Sequence, residues 1–63
     1  MQTYTLSAIG VTDTVYGDLT RAVVRAKRLD GEYQRIGGVT IEDESGSIVA
    51  IVDNDVVEYW NED

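Results

Sequence analysis

The sequence predicts an α+β fold in which one helix packs on an antiparallel sheet, in the order β-α-β-β-β. Near the start, polar and apolar residues alternate, which is typical of a half-buried strand. Apolar residues then recur at helical spacing, and beyond them the period returns to two in segments rich in β-branched and aromatic residues. At 63 residues, with no linker and no internal repeat, the chain has room for one domain, residues 1–63.

The first strand is predicted over residues 3–9, where Tyr4, Leu6 and Ala8 take the apolar positions. Residues 10–17 are rich in Thr, Asp and Gly, and this composition predicts a connection.

Asp18 is predicted to be the N-cap of the helix, because its side-chain oxygen can accept a hydrogen bond from a free amide of the first turn. The helix spans residues 19–29, and Gly31 after it suits the left-handed position that ends a helix. The predicted core stripe of the helix consists of Leu19, Ala22, Val23, Ala26 and Leu29.

After the helix, the second strand is predicted over residues 33–36 and 39–43, and the third and fourth strands over residues 48–53 and 56–60. Gly37 and Gly38 interrupt the first of these strands and predict a bulge or a bend. Residues 44–47 and 53–55 have the composition of turns, so the strands form a meander.

A four-residue loop and a two-residue turn fix which residues share a face of the sheet. The face toward the helix is predicted to carry Val39, Ile41, Ile48, Ala50, Val52, Val57 and Tyr59. The open face then carries an apolar patch, and we predict a dimer interface or second interface at Val49, Ile51, Glu58 and Trp60. Alternatively, a three-residue loop would swap the faces and make Trp60 a core residue.

The charge is segregated along the chain. The net charge is −7, all five basic residues lie between Arg21 and Arg35, and residues 42–63 are acidic without Lys or Arg. This balance argues against direct binding to nucleic acid, because a negative body repels phosphates. The acidic surface is either functional or an adaptation to high salt.

The basic residues of the helix predict a partner-binding surface. Arg21, Arg25 and Arg28 recur at i, i+4 and i+7 about opposite the core stripe, with Lys27 to one side. Tyr33 and Arg35 would extend this surface, because Arg and Tyr are common anchors of interfaces. Alternatively, these side chains solubilise the helix and pair with local acids such as Asp18.

No catalytic residue, metal site or cofactor is predicted, because the chain lacks both His and Cys. An alternative is a hard cation held by carboxylates of Glu42, Asp43, Glu44, Asp53 and Asp55, although solvated turn acids are expected there. The chain has neither a signal-like start nor an apolar run long enough to span a membrane, so a soluble cytoplasmic protein is expected.

The helix containing Ala26-Lys27-Arg28-Leu29, the run from Gly38 to Gly46, the Ile-Val-Ala strand and the late Trp60 together resemble small phage-encoded β-α-β-β proteins. Among these, the chain looks most like anti-CRISPR inhibitors of the type I-F surveillance complex. The resemblance implies a stoichiometric inhibitor that binds a host protein or ribonucleoprotein complex and blocks DNA engagement, with Lys27 and Arg28 in contact.

This chain is more acidic than the proteins that it resembles. If the acidic residues are functional, their carboxylates would imitate DNA phosphates and occupy a DNA-binding groove. The alternative function is a small homodimeric structural or regulatory domain from an acid-rich, halophilic source.

Overall fold

The computed structural model describes residues 2–32 and 37–60. The elements in this range are β1 (Thr3–Ala8), β2 (Val11–Tyr16), α1 (Leu19–Glu32), β3 (Val39–Glu42), β4 (Ile48–Asp53) and β5 (Val56–Tyr59). The strands form one antiparallel sheet in the spatial order β2-β1-β3-β4-β5, and α1 packs on one face of it. The predicted fold class is confirmed, with one strand more than the sequence predicted.

The additional strand is β2, and the prediction of a connection over residues 10–17 was wrong. A tight turn at Ile9 and Gly10, with Gly10 at φ 78, brings Val11 opposite Ala8. The register places Asp13 opposite Leu6, on the helix side of the sheet. Because a charged residue occupies this helix-facing position, β2 does not show the regular alternation of polar and apolar residues by which a half-buried strand is recognised in a sequence.

The start of α1 follows the prediction and its end does not. Asp18 Oδ1 accepts the Arg21 N–H at 3.0 Å, which confirms the N-cap. The helix continues through Gly31 to Glu32, so Gly31 lies inside it and does not end it. Asp30 is buried, and its Oδ2 accepts the Asp55 N–H at 3.1 Å, which ties the last turns of α1 to the turn between β4 and β5.

The core lies between α1 and the three central strands. Its buried apolar side chains are Tyr4, Leu6, Ala22, Val23, Ala26, Leu29, Val39, Ile41, Ala50 and Val52. Each β3 and β4 residue in this set was predicted to face the helix. Ile48 and Tyr59 were predicted on the same face but are exposed, because they lie at the end and at the edge of the sheet.

The meander keeps the predicted turn and loop. Asn54 and Asp55 have φ values of 55 and 66 in a two-residue turn that closes on the Asp53–Val56 pair. A bulge lies between Ile41 and Glu42, whereas Gly37 and Gly38, predicted to form a bulge or a bend, precede β3 without either and have φ values of 85 and 107. The first part of the predicted second strand, residues 33–36, lies outside the described residues. No helix among the described residues is long and apolar enough to cross a membrane.

Candidate binding surfaces

The exposed flank of α1 and the outer strand β2 enclose a groove of about 630 Å³. The helix brings Arg21, Arg25 and Arg28 together in this groove, beside β2 instead of opposite the core stripe as predicted. We name the surface the arginine groove; it is lined by Asp13, Thr14, Val15, Tyr16, Thr20, Arg21, Val24, Arg25 and Arg28.

The middle arginine of the groove is held by an ion pair. Arg25 Nε donates to Asp13 Oδ2 at 2.6 Å, and Asp13 Oδ1 accepts the Thr14 N–H at 2.9 Å. The hydrogen bonds from Arg25 and then from Thr14 lower the pKa of Asp13, and the same carboxylate raises the pKa of Arg25. Arg25 therefore has a fixed direction, although the pair is open to solvent and is screened by salt.

The two outer arginines lie about 10 Å apart along the helix, because seven residues separate them at about 1.5 Å each. Within residues 2–32 and 37–60, neither Arg21 nor Arg28 forms an ion pair. Between them the groove exposes Val24 at 63%, and Tyr16, 62% exposed and set opposite Thr3, borders the groove at the end of β2. The surface thus combines guanidinium groups with apolar area, as interface anchors do.

Gly17 sets how closely Arg21 approaches β2. A Cβ at Gly17 would lie 2.8 Å from Arg21 Cδ, and the φ of 132 at this residue disfavours any other side chain. The Arg21 stem therefore packs directly over the backbone at the start of the helix. Sequence reasoning found the arginines but missed the residues of β2 that complete the groove.

Lys27 does not belong to the arginine groove, contrary to the predicted single basic set. It lies on the other flank of α1, where it lines a second groove of about 580 Å³ with Asp30, Gly31, Asp53, Asn54 and Asp55. Tyr33 and Arg35, predicted to extend the basic surface, lie outside the described residues.

The open face of the sheet carries the apolar patch that the sequence predicted. Val49 and Ile51 are half-buried on β4, Trp60 is 52% exposed, and Glu58 is exposed beside them. Trp60 N–H donates to Val49 O at 2.9 Å, which continues the β4–β5 ladder by one residue. The alternative of a core Trp60 is therefore wrong. We name Val49, Ile51, Val56 and Trp60 the open-face patch.

Apart from Tyr16 at the end of β2, the rest of the open face is polar. By the register, it carries hydroxyl side chains on β1, β2 and β3: Thr3, Thr5, Ser7, Thr12, Thr14 and Thr40. Apolar area on this face therefore lies on β4 and β5 and, at the opposite edge, at Tyr16, which the register sets beside Thr3.

The carboxylates proposed as an alternative cation site are not brought together. Asp43 and Glu44 follow β3, whereas Asp53 and Asp55 lie at the far end of β4, which at about 3.3 Å per residue is almost 20 Å away. Asp43 Oδ1 instead accepts Ser45 Oγ–H at 2.6 Å and the N–H groups of Ser45 and Ser47. These bonds, that of Ser45 Oγ first, lower the pKa of Asp43. Across the described part of the chain, no group of three or more acids, His or Cys is placed to hold a metal ion.

The described residues thus provide two surfaces suited to binding, the arginine groove and the open-face patch. Tyr16, Val24 and Asp13 are the groove residues that sequence reasoning missed. Val24 interrupts an otherwise charged stripe, and such an exposed apolar residue was the available signal. No protein-family model, no curated protein and no solved structure matches this chain.

Proposed function

We propose that this chain is a non-catalytic phage or mobile-element protein that binds and inhibits a host defence nucleoprotein complex in the host cytoplasm, as an anti-CRISPR inhibitor does. The observation that carries the proposal is the arginine groove. The resemblance of the sequence to small phage-encoded β-α-β-β proteins supports the choice of target class.

The groove suits a protein partner for two reasons. Guanidinium groups bind carboxylates or phosphates through paired hydrogen bonds, so Arg21 and Arg28 offer two attachment points. Val24 between them, and Tyr16 at the β2 border of the groove, supply apolar area that gains from exclusion of water. Arg25, already paired with Asp13, adds little conformational entropy cost when a partner binds.

The acidic remainder of the chain supplies a means of inhibition. With a net charge of −7, a chain docked through its arginine groove repels DNA phosphates from the surface that it covers. Carboxylates on the sheet and its turns would imitate a phosphate backbone in the same position. This proposal therefore assigns docking to the groove and exclusion of DNA to the acidic surface.

The test measures target-DNA binding by a purified type I-F surveillance complex, with and without this protein, by electrophoretic mobility shift. Arg28→Glu should weaken inhibition, because it places a repelling charge at one end of the groove. Lys27→Glu is the matched control: it makes the same charge change at the neighbouring position, but on the other flank of α1.

Equal losses in the two variants would mean that net charge, and not the groove, decides inhibition. Unchanged DNA binding at a saturating excess of the wild-type chain would rule out this target. A tagged chain used for capture from host lysate, with Arg28→Glu as the negative control, then reports which nucleoprotein complex, if any, depends on the groove.

A homodimeric structural or regulatory domain is the second candidate, favoured by the open-face patch. Val56 is 66% exposed and Trp60 52% exposed on one face, and two copies would bury this area against each other. Light scattering should then give the mass of two chains for the wild type and of one chain for Trp60→Ala. A single-chain mass for both at high concentration would end this candidate.

A further inference from the structure

Strand β5 forms one end of the sheet, and half of its backbone polar groups point outward. Trp60 N–H bonds to Val49 O, so the hydrogen-bonded pairs of this ladder are Val49–Trp60, Ile51–Glu58 and Asp53–Val56. Val57 and Tyr59, which alternate with them, direct their N–H and C=O groups away from β4. Within the described residues no strand pairs with this outer edge.

The same strand exposes apolar side chains on both of its faces. Val56 and Trp60 project on the open face, and Tyr59, 60% exposed, projects on the other. An added strand would therefore find apolar contacts above and below its backbone. Unpaired backbone groups with exposed apolar neighbours are the features by which a sheet edge accepts a further strand.

The opposite edge of the sheet differs at its centre, where a charged side chain covers the backbone. Gly17 N–H bonds to Gln2 O, so by the same alternation Thr12, Thr14 and Tyr16 face outward on β2. The outward N–H of Thr14 is already taken by Asp13 Oδ1, and Arg25 of the helix lies against the same carboxylate. An inward-pointing charge of this kind is a known means of blocking an edge.

The charge around β5 selects the partner. Asp53, Asp55 and Glu58 lie on the β4–β5 hairpin, and residues 42–60 contain no Lys or Arg. Among the described residues, Lys27 lies near this hairpin, and it lines the groove at the turn and not the edge of β5. The edge is therefore complementary to a strand that carries basic residues.

From these observations we infer that the outer edge of β5 binds an extended segment of another protein, in which basic and apolar residues alternate, as a sixth strand of the sheet. The site is separate from the arginine groove and does not depend on the proposed function. A second copy fits less well, because symmetric pairing centred on β5 sets Glu58 opposite its own counterpart and joins two chains of charge −7.

The experiment titrates the full chain with a synthetic peptide of alternating Lys and Val, and with a matched peptide of alternating Glu and Val. Trp60 is the single tryptophan of the chain, so its fluorescence reports on this edge. The Lys–Val peptide should shift Trp60 emission to shorter wavelength and slow amide exchange at Val57 and Tyr59. Thr12 and Tyr16, on the other edge, should keep their exchange rates.

Two variants separate backbone pairing from loose charge attraction. Tyr59→Pro and Tyr59→Ala both remove the ring, but only Pro also removes the outward N–H, and it leaves the β4–β5 ladder intact. We expect Tyr59→Pro to bind the Lys–Val peptide about tenfold more weakly than Tyr59→Ala. Glu58→Lys should reverse the preference between the two peptides, which keeps the test valid if the Pro variant does not fold.

The inference is overturned if the Lys–Val peptide leaves the Val57 and Tyr59 amides unchanged, or if both peptides bind equally well. It is also overturned if light scattering without peptide shows a doubled mass that Tyr59→Pro abolishes, because a second copy then occupies the edge. Loss of DNA-binding inhibition in Arg28→Glu has no bearing on these results, so the two proposals fail separately.

Discussion

The two edges of the sheet differ in how their backbone groups are protected. On β2, Asp13 accepts the outward N–H of Thr14 and pairs with Arg25, so one carboxylate joins the edge to the helix. On β5, Val57 and Tyr59 face outward without such a cover in the described part of the chain. The comparison shows that a single charged side chain, placed on the helix side of an edge strand, protects the backbone of the β2 edge. Strand length and net charge do not explain the difference between the two edges.

The largest expected effect comes from the core that both edges share. Ile41 is fully buried on the central strand β3, so Ile41→Ala should lower the free energy of unfolding by about 2–5 kcal/mol in urea titrations. Exposed Ile9, in the β1–β2 turn, provides the control: Ile9→Ala should stay within about 0.5 kcal/mol. Amide exchange should accelerate at both edges in Ile41→Ala. Acceleration at one edge alone would show that the edges unfold separately.

The core was the part of the fold that the sequence predicted well. β3, β4 and β5 are rich in β-branched residues and are separated by recognisable turns, and the turn lengths assigned Val39, Ile41, Ala50 and Val52 to one face. β2 could not be recognised, because Asp13 occupies an inward position that a half-buried strand usually fills with an apolar residue. Its partner Arg25 lies twelve residues away along the chain, and no local pattern reports that contact.

The same limit applies to the candidate sites. Helical spacing placed Arg21, Arg25 and Arg28 in one row, but only the position of β2 shows that the row lines a groove and that Lys27 does not. Asp30 next to Gly31 resembled a helix end. Its carboxylate instead accepts a hydrogen bond from the Asp55 N–H in the β4–β5 hairpin. Because this contact joins residues far apart in the chain, local helix propensity does not predict it.

A smaller effect is expected where Gly17 leads from the β2 edge into α1. Gly17→Ala places a Cβ in a strained backbone conformation, at φ 132, and against Arg21 Cδ. It should cost about 1–2 kcal/mol in urea titrations and displace the Arg21 side chain. Gly10→Ala is the control, because φ there is also positive at 78 but nothing lies within 4 Å of the added Cβ. Side-chain NMR signals of Arg21 should move in Gly17→Ala and not in Gly10→Ala.

The β2 edge should also depend on pH. The pKa of Asp13 is lowered in the folded state, so its ionised form stabilises the fold above the unfolded value of about 3.9 and this stabilisation is lost as pH falls through the folded pKa. Asp13→Asn should therefore be less stable than the wild type at pH 7, and the difference should shrink toward pH 2.5. Urea titrations across this range measure it.

Amide exchange at Thr14 sharpens the same prediction. Because Asn would keep an oxygen that accepts the Thr14 N–H, the exchange test uses Asp13→Ala, in which exchange at Thr14 should accelerate while Val57 and Tyr59 are unaffected. A stability difference that stayed constant between pH 7 and pH 2.5 would contradict the role given to the Asp13 charge.

The smallest expected effect concerns the charge beside β5. Cs⁺ should quench Trp60 fluorescence more than I⁻ does, after correction with a free tryptophan analogue, because Glu58 lies on the same face and attracts cations. The preference should fade as salt rises from about 0.01 M to 0.15 M and the screening length falls from about 30 to 8 Å. Glu58→Gln should reduce the preference, whereas Asp13→Asn changes the net charge equally at the other edge and should leave it intact. An equal reduction of the Cs⁺ preference in both variants would show that the net charge of the chain governs the approach of ions. It would contradict the local acidic character that we assign to the β5 edge.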